Sequence, residues 1–295
     1  MKDKRRKKLE ALKSDFERSA QEQYFESFDR SKLRILSFTK TKEPPATIEI
    51  LFIPGLLTIF PRWEKVVKEL NKWYIVHYVE SREKFSSILP KRATMRLEEI
   101  RKDLVFAIKN LGLQNKRYIT ISSSMGGAMI LENLATGELT PLDNILISPG
   151  VEFPFPKWIR PLLHVLPPFV MTMIKPFIRW YLRTFTVDSK KEPEQAKQYI
   201  RAVNEAEMRK LRRWILKNAN KYNGWHLLPK IHGKVVVIGA STDKTHKSDF
   251  TKRVAEALPN SRYIDLGTNK AAHDMPLVDL TKTVIEELES ELEKK

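Results

Sequence analysis

The chain contains no cysteine in 295 residues. A disulfide framework and a thiolate metal site are both closed to it, and a reducing, cytoplasmic location fits. No run of about 18 uncharged apolar residues occurs, so no membrane-spanning helix is expected. The basic start MKDKRRKKLEALKSDFERS lacks the apolar stretch of a secretory signal, and none is expected there. There is no glycine-rich phosphate loop with the Walker lysine. His232, His246 and Asp249 lack the paired spacing of a zinc site, so surface roles are favoured and neither metal nor cofactor is expected. No internal repeat is visible.

What the chain does have is positive charge. Its formal net charge is +17, with 42% apolar and 30% charged residues, a globular composition. The excess is concentrated. Residues 151–230 hold 16 Lys and Arg against 6 Asp and Glu, and residues 1–13 hold 7 against 2. Such a balance suits nucleic acid, anionic lipid or acidic substrates, or a solvated surface with no partner. Trp158, Trp180, Tyr181 and Phe185 are interleaved with the cations, a mixture that favours an anionic membrane interface over nucleic acid.

Hydrophobic periodicity alternates along most of the chain. Strands are predicted at residues 32–38, 47–53, 74–78, 118–122, 144–148, 235–239 and 262–266. Helices are predicted at 63–73, 94–111, beyond Gly126, and at 252–258 and 277–293. Strands alternating with helices imply a mostly parallel sheet covered on both faces. The first thirty residues read as a basic amphipathic helix outside the main core. Residues 151–230 lack a good strand and read as a helical insertion. The expected organisation is a 1–30 extension, a core of 31–150 and 231–295, and a 151–230 cap.

One stretch concentrates small residues where a strand gives way to a helix: YITISSSMGGAMILENL, residues 118–134. A serine hydroxyl needs a base to become a nucleophile, and it must project clear of the backbone. A sharp strand-to-helix turn achieves that, provided the residues two before and two after are small. Ser123 fails because Ile121 precedes it. Ser122 follows Thr120, which still belongs to the strand. Ser124, between Ser122 and Gly126, satisfies the rule. The helix that follows aims its N-terminus at the site, so the Met125 N–H is a candidate oxyanion donor.

This arrangement resembles the α/β-hydrolase fold superfamily, whose G-x-S-x-G elbow SSSMGG follows except that Ser122 replaces the first glycine. The resemblance implies a nucleophile–acid–histidine order along the chain. It places the acid at Asp243, just past the strand VVVIG, and the histidine at His273 in TNKAAHDMP. Glu152, after the preceding strand, is the alternative acid. The resemblance also makes Leu56 in FIPGLL the second oxyanion donor, with Pro54 where the family often has histidine. The implied fold is a mostly parallel central sheet flanked by helices, with a helical cap insertion. Trp158, Phe169, Met173 and Phe177 of that insertion are candidate pocket residues, with packing of the cap onto the core as the competing role.

The implied activity is that of a serine hydrolase on an apolar acyl ester, of carboxylesterase or lipase type. Thioesterase and C–C hydrolase chemistry would use the same parts. The Ser122 and Pro54 departures keep a second class open, a binding or scaffold protein that retained the fold without the activity. A third, a basic surface module, rests on charge alone. The expected partners are a small acyl ester and an anionic membrane.

Overall fold

The computed structural model describes residues 7, 10, 11, 13–39, 47–165, 167–173, 175, 176, 180, 201–242 and 248–294. These form an eight-stranded sheet from β1 (Gln21–Glu26), β2 (Lys32–Phe38), β3 (Ile48–Ile53), β4 (Val76–Val79), β5 (Arg117–Ser123), β6 (Asn144–Ile147), β7 (Val235–Gly239) and β8 (Ser261–Asp265). The spatial order is β1-β2-β4-β3-β5-β6-β7-β8. β1 and β2 pair antiparallel, as do β2 and β4, and every later pairing is parallel.

Period-2 alternation explains why both faces are dry. In β3, Ile48, Ile50 and Phe52 enter one core, while Leu51 and Ile53 enter the other. In β7, Val236 and Ile238 face the first core, and Val235 and Val237 the second. The first core is covered by α2 (Phe60–Leu70) through Trp63, Val66 and Val67, and by the terminal α10 (Met275–Glu293) through Leu277, Val284 and Ile285. The second is covered by α4 (Lys102–Leu111), α5 (Met125–Ala135) and α9 (Ser248–Glu256). Each fully buried Leu, Ile or Val contributes roughly 1.5–3 kcal/mol, so the alternation itself selects the layered architecture.

Two expectations need correction. The described part of the first thirty residues is not one helix lying outside the core. They include a short helix, α1 (Asp15–Ser19), and then β1. The Phe16 ring stacks on Phe38 at 4.6 Å, and Glu17 is buried against the Arg34 guanidinium at 3.1 Å. β1 escapes notice in the sequence because QEQYFE buries only Phe25; an edge strand needs little apolar alternation. The predicted helix over 94–111 is broken into α3 (Leu97–Ile100) and α4. The Asn133 amide donates to the Arg101 carbonyl at 3.0 Å, and the Leu104 N–H turns to that same carbonyl. Gly112 ends α4 in the left-handed region (φ 67°), the conformation its position as a stop signal requires.

The described part of residues 151–230 leaves the sheet after β6 and returns before β7. It holds α6 (Ile159–Val165), α7 (Pro168–Met173) and α8 (Met208–Asn218), with a 3-10 turn at Trp225–Lys230. Its two ends run together: Gly224 N–H donates to Val151 O at 2.7 Å and Asn220 N–H to Phe153 O at 2.9 Å. α8 buries Trp214, and its Asn218 side chain accepts from Leu97 N–H at 2.8 Å and donates to Met95 O at 2.7 Å. The helical insertion is thereby fastened to the segment before α3.

Candidate active site

Ser124 occupies the single residue between β5 and α5, with φ 45° and ψ −111°. A positive φ is rare outside glycine and costs backbone strain, which persists only where the surroundings impose it. Here the Ser124 N–H donates to Ile147 O at 3.0 Å, and its carbonyl accepts from Ala128 N–H at 3.1 Å and Gly150 N–H at 3.0 Å. The small neighbours are explained by close approach. A Cβ on Gly126 would lie 2.5 Å from the Ile53 carbonyl oxygen, and one on Gly127 would lie 2.8 Å from Pro149 Cβ. Ser122 fits in place of the family's glycine: it is fully buried, and its hydroxyl finds no hydrogen-bond partner.

Ser124 opens on a cavity of about 120 Å³ lined by residues at or beyond the carboxyl ends of β3, β5, β6, β7 and β8. That is where open parallel sheets place ligands. Gly55, Leu56 and Thr58 line it after β3, and Ser123, Ile147, Ser148 and Ala240 line it at the ends of β5, β6 and β7. Asn269, Ala272 and His273, after β8, complete the lining. The structure therefore brings Ser124, His273 and Leu56 to one cavity. Met125 is the first residue of α5, where a helix leaves its N–H groups without helical partners.

The His273 ring is fixed from two directions. It stacks on Trp63 with centroids 4.3 Å apart, and its Nδ1 lies 2.8 Å from the Asn269 carbonyl oxygen. A carbonyl can only accept, so Nδ1 carries the hydrogen and Nε2 is the basic nitrogen of the neutral ring. Asn269 is itself held by Arg62, whose guanidinium donates to its side-chain oxygen at 2.7 Å.

Asp243 lies outside the described residues. Glu152 is exposed, makes a backbone bridge to Asn223 and does not line the cavity. Two nearby carboxylates are committed elsewhere. Asp265 accepts from the N–H groups of Gly267 and Ser241, which hold its carboxyl below the ordinary value. Asp274 caps α10 and pairs with Lys65, which lowers it likewise.

Of the four candidate pocket residues of the insertion, the three that are described do not line the cavity. Trp158, Phe169 and Met173 are 66%, 61% and 72% exposed and are absent from its lining; Phe177 lies outside the described residues. An apolar helical pattern reads the same whether the face meets a pocket or solvent. Sequence reasoning also missed Trp63, Asn269, Thr58 and Ser148. None carries a local motif; Ser148, like Ser124, has positive φ (43°), a property only the folded backbone reveals.

No protein-family model matches the chain, and no curated protein matches it in sequence. Solved structures do. A thermophilic esterase from Thermogutta terrifontis superposes with a TM-score of 0.71 at 16% identity, covering 91% of this chain and 99% of the esterase. An enol-lactonase from Burkholderia xenovorans gives 0.70 at 18% identity, covering 90% and 98%. A membrane phospholipase A described as a bacterial virulence factor gives 0.68 at 14% identity, covering 97% and 92%. Sheet order, elbow and these superpositions agree: the chain has the fold of the α/β-hydrolase superfamily.

Proposed function

We propose that the protein is a serine hydrolase of carboxylic esters, with Ser124 as nucleophile and His273 as general base. The observation that carries this reading is the strained Ser124 hinge opening on a cavity that His273 also lines. Nε2 of His273 takes the Ser124 proton as Oγ attacks the carbonyl carbon. The Leu56 and Met125 N–H groups receive the oxyanion. His273 then protonates the leaving alcohol, and a water activated by the same nitrogen releases the acid from the acyl-enzyme. Asp243, the first residue beyond the described end of the β7 loop, is assigned the role of orienting acid on sequence grounds. The Nδ1 hydrogen points to the Asn269 carbonyl oxygen, so Asp243 acts by sharing that hydrogen and by stabilising the imidazolium charge.

The esterase, lactonase and phospholipase similarities support an oxygen ester over a thioester or a C–C bond. Labelling with a fluorophosphonate and peptide mapping tests the assignment. Modification is expected on Ser124, lost in Ser124→Ala and retained in Ser122→Ala and Ser123→Ala. Modification at another serine, or none in folded protein, overturns it.

A second reading concerns location. We propose peripheral contact with an anionic membrane through the insertion. Trp158, Val165, Phe169, Met173 and Trp180 are all more than half exposed within a segment rich in cations, the pairing of aromatic and basic groups that interfacial binding uses. Among the described residues no helix is long and apolar enough to cross a membrane.

A further inference from the structure

We propose that Lys84 is a positioning residue for the oxyanion site, acting through the Gly55–Leu56 peptide; this rests on the serine hydrolase reading above. Lys84 is buried, and its ammonium donates to the Gly55 carbonyl oxygen at 2.7 Å. The Glu83 carboxylate holds the same ammonium at 2.7 Å, and it too is buried. The Gly55 carbonyl accepts a second bond from Thr58 N–H at 3.2 Å, which closes a tight turn with Leu57 at φ 59°.

The Gly55 carbonyl and the Leu56 N–H belong to one peptide plane. In a trans peptide they point in opposite directions. Two donors on the carbonyl therefore dictate the direction of the Leu56 N–H, away from Lys84. The wall formed by Gly55 and Leu56 abuts the nucleophile turn: a Cβ on Gly55 would sit 3.2 Å from Ser123 Oγ. A rotated peptide would present the carbonyl oxygen to a developing oxyanion, two negative dipoles facing each other. The cationic bond also withdraws electron density from the carbonyl, which makes the N–H of the same amide a stronger donor.

The clamp is itself anchored from the insertion. Lys210 on α8, also buried, donates to Lys84 O at 2.6 Å and to Ser87 O at 2.7 Å. The insertion thus grips the 84–87 segment, which grips the oxyanion wall. A neutral side chain at position 84 would fill the space without holding the peptide. The sequence offers no hint of this, because EKFS after β4 reads as an ordinary polar loop.

The test compares Lys84→Met, Lys84→Arg and the charge-neutral double variant Glu83→Gln/Lys84→Met with the wild type. The readouts are short-chain aryl ester turnover, inhibition by a trifluoromethyl ketone that forms a hemiketal oxyanion, and fluorophosphonate labelling. Lys84→Met is expected to lower kcat by about tenfold or more, with KM little changed. That falls short of the roughly 10²–10³ lost when an oxyanion donor is removed outright. The ketone should weaken in parallel, and Lys84→Arg should recover part of both losses. If Lys84→Met does not fold, the double variant carries the comparison, since it leaves no buried unpaired charge. Folded variants with kcat and ketone affinity within twofold of wild type overturn the proposal while Ser124 labelling leaves the hydrolase reading standing. A wild type that is not labelled on Ser124 overturns both.

Discussion

At the scale of single residues, the site rests on steric exclusion as much as on chemistry. Gly126→Ala would drive a methyl group to 2.5 Å from the Ile53 carbonyl, a backbone atom that cannot step aside. Loss of fluorophosphonate labelling at Ser124 together with a lowered melting temperature is expected, read by peptide mapping and circular dichroism. Ser122→Ala should do the opposite. It removes a buried hydroxyl with no partner, so stability should hold or rise by up to about 1 kcal/mol in chemical denaturation, with Ser124 labelling intact. The acid is settled by a pair of variants. Asp243→Asn is expected to cut turnover by orders of magnitude, on the order of 10⁴ where an orienting acid is lost, while exposed Glu152→Gln should stay near wild type. The reverse result would move the acid to the earlier strand.

At the scale of elements, a buried ionic network ties together parts that are distant in sequence. Arg34 on β2 grips Glu80 after β4 through two hydrogen bonds of 2.9 and 2.6 Å. It also meets Glu17 of α1, which Arg201 reaches at 3.0 Å. Burial pushes the Glu80 carboxyl up, but the Arg34 guanidinium outweighs it and holds Glu80 below its ordinary value of 4.5. A depressed carboxyl contributes stability above its unfolded pKa and loses it as pH falls through the folded one. Glu80→Gln should therefore destabilise by about 1.5–3 kcal/mol at neutral pH, the range for hydrogen bonds to charged groups, since Arg34 keeps Glu17 as a partner, and the gap to wild type should shrink as pH drops below 4.5. Glu205 works in the other sense. Burial outweighs Arg201 and raises its carboxyl, so its share of stability grows on acidification. Comparing one variant with wild type by denaturation at each pH isolates Glu80; a gap that stays constant from neutral to acid would contradict the assigned direction.

For the whole molecule, charge and exposed apolar surface coincide in the insertion. Co-sedimentation is expected with anionic vesicles and not with neutral ones, weakening as salt screens the charge. Trp158→Ser combined with Phe169→Ser should reduce it, and so should neutralising Lys4, Arg5, Arg6, Lys7 and Lys8, of which only Lys7 lies among the described residues. Failure to sediment with either vesicle type at low salt would reduce the charge to surface solvation.

The sequence alone determined the layered α/β fold, because strands buried on both faces must be continuously apolar, and such runs recur between amphipathic helices. It also located the strand-to-helix hinge at Ser124, because the backbone of such a hinge tolerates only small neighbours, and composition records that. His273 was singled out by the family resemblance, from its place after the last strand, and the fold brings it to the cavity that Ser124 lines. The polar edge strand β1, the break at Arg101 and the solvent-facing side of Trp158 were decided only by tertiary structure. Those depend on which side chain, Asn133 or another, arrives from a distant element. The Lys84 contact with Gly55 belongs to the same class: 29 residues separate the partners, and only the folding of β3 beside β4 brings the ammonium to the carbonyl. Hydrophobic period is a local property of the chain, whereas hydrogen bonds between loops depend on where the whole sheet places their ends.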